Sequence, residues 1–156
     1  MALNNNQKII KFLTPILLPV VKLYWRIFKP ETFGVKVIIE NEGKFLYVIN
    51  DYGKRSITFP GGRMEKGETP EQTGIREIRE EVGLDICDLK FITKILSTEE
   101  GKKDNIYIYY AKSDTDNLVV DEFEIAEASW FTKNNPPKFG KLSQEIWDDF
   151  LKTYND

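Results

Sequence analysis

Apolar and polar positions along the chain follow two rhythms. Residues 33–40 alternate in part (Phe33, Val35, Val37, Ile39), the period of a strand with one buried face. Asn41-Glu42-Gly43 then turns the chain into residues 44–50, so the two runs are predicted to pair as a hairpin. Residues 51–54 make a second turn, and residues 55–59 a short strand leading to Pro60 and the pair Gly61-Gly62. Residues 89–97 and 105–111 form another β-rich pair joined by a charged loop; Tyr107 and Tyr109 share one face of the second run and Tyr110 takes the other. Helical spacing appears at Ile75, Ile78 and Val82, and again within residues 142–154 at Ile146, Trp147, Phe150 and Leu151.

The first helix is bounded at both ends. Thr69-Pro70-Glu71-Gln72 supplies an N-cap hydroxyl, a proline at N1 and a glutamine at N3, which together make a capping box. Gly83 supplies the residue that tolerates the left-handed conformation past the last turn. On this helix Glu77, Glu80 and Glu81 stand at i, i+3 and i+4 and project from one face, where they repel one another. Glu80 and Glu81 also occupy the last turn, which disfavours anions by about 0.3–1 kcal/mol each. A divalent cation reverses that balance, since Mg²⁺ takes oxygen ligands and keeps waters or substrate phosphates as the remainder. The alternative is a solvated acidic face with Arg76 and Arg79 as counterions.

The wider spacing decides between these. Gly62, Glu68, Arg76, Glu77, Glu80, Glu81 and Gly83, with Ile78 and Leu84 at the apolar positions, fit G-x5-E-x7-R-E-U-x-E-E-x-G-U without a miss. At about one chance in fifteen per fixed residue, accidental agreement is rarer than roughly one in ten million per starting position. The stretch resembles the Nudix box. That resemblance implies an α+β fold, an α/β/α sandwich around a mixed β-sheet, in residues 31–156, and Mg²⁺-dependent (or Mn²⁺-dependent) hydrolysis of a nucleoside diphosphate linked to another moiety. It makes Glu77, Glu80 and Glu81 the catalytic metal ligands, helped by the carbonyl of Gly61, with Gly62, Glu68, Arg76 and Gly83 as structural members of the motif. Residues 121–131 are similar to the acidic segment and closing Trp-Phe strand common in the family, and Glu124 and Glu127 become candidates for a further metal ligand or a base acting on water, a role for which Glu81 or Glu80 is the first choice. Arg55 and Arg63, with Lys54, are candidates for phosphate contact.

The chain departs from family patterns at three places. Ile57 stands where many members have a tryptophan; Ser97, Thr98 and Glu99 stand where ADP-ribose-type members have a proline; Glu100, Gly101 and Lys102 stand where dinucleoside-polyphosphate members have a tyrosine. The rival readings are a non-catalytic nucleotide-binding sensor, against which the three retained glutamates argue, and an RNA 5′-pyrophosphohydrolase.

Composition narrows the partners. At 156 residues the chain is expected to bury about two-thirds of its unfolded surface as one domain, and a net charge of −3 with pI near 5.2 argues against DNA and long RNA. Cys87 is the single cysteine and there is no histidine, so neither an intrachain disulfide nor a His-based triad is available. The resemblance leaves residues 1–30 unexplained. Residues 9–28 are rich in apolar and aromatic side chains, yet Lys11, Lys22 and Arg26 interrupt them, and Pro15 and Pro19 break or kink a long helix. The uncharged run 12–21 falls short of the ~20 residues a bilayer needs, and no small-residue cleavage site follows it, so a cytoplasmic protein is expected. A helical extension apolar on most sides needs more cover than one docking face gives. A homodimer through residues 9–28 is therefore expected, with association at a membrane surface through Lys8, Lys11, Lys22 and Arg26 as the second choice.

Overall fold

A computed structural model describes residues 31–51, 55–97 and 103–154. The expected N-terminal helical segment, with its dimer or membrane contacts, and Lys54 lie outside these residues. The strands are β1 (Glu31–Asn41), β2 (Lys44–Asn50), β3 (Ile57–Thr58), β4 (Lys90–Ser97), β5 (Lys103–Lys112) and β6 (Ile125–Thr132); the helices are α1 (Pro70–Val82) and α2 (Lys141–Thr153). The chain divides into two compact units. The larger, Phe33–Ile95 with Ile106–Asp156, carries both helices. In the smaller, Thr32 Oγ1 donates to Asp104 Oδ1, and Asn105 Nδ2 donates to Glu31 Oε1 at 2.9 Å.

The sheet runs β3-β2-β1-β5-β4, with β6 paired to β2. The β1–β2 hairpin closes through Glu42 and Gly43 at φ 47° and 76°, the two left-handed residues that match the twist of paired strands. Strand alternation then sorts side chains onto two layers. Val35, Val37 and Ile39 face Ile78 and Val82 of α1. Ile38, Phe45, Phe59 and Phe131 face Ile146, Trp147 and Phe150 of α2, an aromatic layer in which the Trp147 ring stands 4.9 Å from that of Phe45. Each fully buried side chain of this kind contributes about 1.5–3 kcal/mol. Helix, mixed sheet and helix thus form the expected sandwich, and Tyr109 and Tyr110 enter opposite layers as their spacing predicts.

One polar group is buried among the aromatics. Glu40 Oε2 accepts the hydroxyls of Tyr110 and, at 3.0 Å, of Tyr154, while Oε1 accepts Gly43 N–H at 3.2 Å. Burial pushes the Glu40 carboxyl up, but the two tyrosines, Lys112 and Gly43 N–H outweigh it and hold the group below the ordinary range. The carboxylate thereby fastens the end of α2 to β1. Tyr110→Phe is expected to cost about 1–2 kcal/mol in urea unfolding, because one donor to a buried charge is lost while Tyr154 remains.

Candidate functional site

The site is assembled in the first half of β1, where the loop after β3 runs antiparallel beside the strand. Val35 N–H donates to Gly62 O and Val37 N–H to Pro60 O, both at 2.9 Å, so the loop is bonded to β1 by its main chain. Gly61 has φ 127°, a region only glycine enters readily, and a Cβ there would lie 2.3 Å from Val35 O. A Cβ on Gly62 would lie 2.5 Å from the carboxyl of Glu77. Both glycines are therefore needed for the loop to pass between β1 and α1.

Helix α1 begins and ends as its sequence predicts. Thr69 Oγ1 accepts Gln72 N–H at 3.2 Å, the Gln72 side chain accepts Thr69 N–H at 2.9 Å, and Gly83 closes the helix at φ 69°. Its last carbonyls find partners in the stretch after β5: Asp121 N–H donates to Glu81 O at 3.1 Å and Val119 N–H to Val82 O at 3.0 Å. The approach is close enough that a Cβ on Gly83 would lie 2.7 Å from Val119 Cβ.

Glu68 and Arg76 join loop to helix. Arg76 Nε donates to Glu68 Oε1 at 2.7 Å and Nη2 to Oε2 at 3.0 Å, a bidentate pair, and Thr73 Oγ1 and Glu65 N–H also donate to Oε2. Arg76 foremost, then Glu65 N–H and Thr73, bring the Glu68 carboxyl down to about 2. A carboxylate whose folded value lies below the ordinary 4.5 stabilises the fold above that pH and loses this contribution as pH falls through the folded value. Acid unfolding followed by circular dichroism is thus expected to show stability declining from about pH 4.5 to 2, with a flatter profile for Glu68→Gln.

The three glutamates are not equivalent. Arg76 Nη1 donates to Glu77 Oε1 at 2.8 Å and to Glu80 Oε2 at 3.0 Å, whereas Glu81 is buried and its Oε2 accepts Gly61 N–H at 2.8 Å. Glu80 keeps most of its side chain in solvent. So disposed, no group of three or more Cys, Asp or Glu among the described residues forms a metal-holding cluster. The donor set nonetheless suits a hard divalent cation. Burial raises the Glu81 carboxyl to about 7 against the pull of Lys36 and Gly61 N–H, and burial likewise raises Glu77 and Glu124; each is raised further by neighbouring carboxylates. Oxygen donors sharing too little positive charge are what Mg²⁺ and related ions bind.

The remaining candidates separate. Glu124, half-buried in the turn before β6, lies close enough to feel Glu80 and to raise Glu77 and Glu81. Glu127 lies in β6 opposite Ile49 and accepts the hydroxyl of Tyr47 at 2.8 Å, directed to the α2 layer. Arg55 pairs with Asp51 at 3.0 Å. Arg63 has an exposed side chain, and its carbonyl accepts Arg76 Nη2 at 3.2 Å. One site residue escaped the sequence reading. Lys36 Nζ donates to Phe59 O and Gly61 O, both at 2.8 Å, and its ammonium is pushed below the ordinary lysine range by burial, against Glu81 and Glu77. The available signal was a charge between Val35 and Val37, inside the otherwise apolar run of residues 33–39.

The NUDIX domain family model matches residues 30–149. The ADP-ribose pyrophosphatase of Methanocaldococcus jannaschii is 29% identical over 135 residues, 84% of this chain and 79% of that protein. An RNA pyrophosphohydrolase of Pseudoalteromonas translucida is 45% identical over 56 residues, but these are 36% of this chain and 32% of its own length. Among solved structures, a MutT NUDIX hydrolase from Burkholderia pseudomallei superposes with a TM-score of 0.69 at 18% identity, over 76% of this chain and 97% of that one.

Proposed function

Because the chain belongs to the Nudix family, we propose that it is a pyrophosphohydrolase that cleaves the diphosphate linkage of a small nucleoside diphosphate derivative with the help of Mg²⁺. The observation that carries this reading is the crowding of Glu77, Glu80, Glu81 and Glu124 around a loop whose Gly61 N–H is already bonded to Glu81. Glu77, Glu80, Glu81 and the Gly61 carbonyl would hold the ion; Mn²⁺ could take its place. When bound, such an ion neutralises phosphate oxygens and makes water easier to deprotonate. Glu81 is buried and bonded to the loop, which suits it to holding position. Glu80 and Glu124 reach solvent, and we assign to one of them the acceptance of the attacking water's proton. Arg76 sets the positions of Glu77 and Glu80 and ties both to Glu68.

The substrate class rests on two further supports. Similarity to the ADP-ribose pyrophosphatase runs through most of this chain, whereas similarity to the RNA pyrophosphohydrolase is confined to a short stretch. A net charge of −3 also leaves little basic surface for a polymer. A Mg²⁺-dependent screen over ADP-ribose, sugar nucleotides, nucleoside triphosphates, dinucleoside polyphosphates and 5′-triphosphate RNA, reading phosphate, pyrophosphate and nucleoside monophosphate separately, tests it. Release of nucleoside monophosphate from a small diphosphate derivative is expected. Binding without turnover across the whole panel would instead mark a sensor module.

A further inference from the structure

We propose that Lys36 is a built-in cation of the acidic site, sharing the Gly61 carbonyl with the divalent ion and thereby setting how weakly that ion is held. The inference rests on reading the acidic cluster as a metal site, and it concerns a residue outside the motif.

Its position is enforced by the strand. Val35, Val37 and Ile39 turn to the α1 layer and Ile38 to the other, so residue 36 falls on the α2 side of β1. The loop runs antiparallel beside β1 at this point, its main chain bonded to Val35 and Val37 on either side of Lys36. The Lys36 ammonium meets two carbonyls of that loop, Phe59 O and Gly61 O, each at 2.8 Å. Gly61 is thus held through both of its peptide groups: its N–H donates to the Glu81 carboxylate and its C=O accepts from the Lys36 ammonium.

A strand in this position needs no charge, and methionine would fill the space without the desolvation that an enclosed ammonium suffers. What offsets that desolvation is carboxylate charge, Glu81 first and then Glu77, the same groups that would hold the metal. Lysine is a compact point charge and presents its donors much as a small cation does. Two cations drawing on one carbonyl and one pair of carboxylates repel each other, so each weakens the other's hold.

The test is Mn²⁺ binding by electron paramagnetic resonance at fixed pH, without substrate, on the whole chain and on Lys36→Met and Lys36→Gln. Glutamine keeps an N–H for the two carbonyls while removing the charge. Both variants are expected to bind Mn²⁺ about tenfold more tightly, and their melting temperatures to rise more than the wild type's when Mn²⁺ is added. Unchanged or weaker binding by the Gln variant overturns the proposal, and failure of both variants to fold does so too, because Lys36 would then be a structural tie. The reading beneath it is checked separately: if the wild type takes up no Mn²⁺, or Glu81→Gln binds it as the wild type does, the metal site itself is wrong. Wild-type binding that depends on Glu81 but ignores Lys36 removes this proposal alone.

Discussion

Glu81→Gln is expected to lower turnover about 10²-fold or more while leaving the melting temperature equal or higher. The two halves of this expectation come from different properties of one side chain. As a ligand, a neutral amide offers a weaker donor to a hard cation than a carboxylate does. As a buried group beside Glu77 and Glu124, the carboxylate is enclosed and repelled, and the amide relieves both while its oxygen still accepts Gly61 N–H; losing the charge that attracts Lys36 offsets part of that gain. Glu80→Gln should lose activity by a comparable factor with little change in stability, since that side chain is mostly in solvent. Steady-state turnover in Mg²⁺ and thermal melts of the two variants and their double measure this; a double variant as active as the wild type would remove the metal-site reading.

Gly61→Ala is expected to destabilise the fold by about 3 kcal/mol, a large part of the ~5–15 kcal/mol that keeps such a domain folded. The new methyl group would demand both an unfavourable φ of 127° and an overlap at 2.3 Å with Val35 O. Neither can relax cheaply, because hydrogen bonds on either side of Gly61 hold the loop against β1. Gly67→Ala separates the two effects: Gly67 also has positive φ, 94°, but nothing lies within 4 Å of its Cβ position. Urea unfolding of both variants decides the matter. Equal losses would mean that close approach to β1 contributes nothing beyond backbone strain.

What could be read from the sequence was local. The capping box at Thr69, the left-handed Gly83 and the Asn41-Glu42-Gly43 turn each depend on residues within four positions of one another, and all three stand where their chemistry places them. The pairing of Glu68 with Arg76 was accessible because the motif carries both on one short stretch. Glu124 and Glu127 look alike in sequence, and what separates them is where β6 begins: Glu124 ends the preceding turn, and two residues of strand direct Glu127 to Tyr47. Lys36 meets carbonyls 23 and 25 positions away and Glu40 meets tyrosines 70 and 114 positions away, which no local periodicity encodes.

The stretch after β5 differs in the kind of information it carries. Asp121 and Val119 reach the last carbonyls of α1, and Glu124 O receives Asp51 N–H at 2.8 Å, so three distant parts of the chain are stitched together by backbone alone. Peptide groups are the same in every residue. Side chains along this seam can therefore drift without undoing it, and a position-by-position comparison of relatives would score the seam as unimportant even while it stayed in place. At Val119 and Asp121 the exclusion such a stitch imposes is proline, which has no N–H to give.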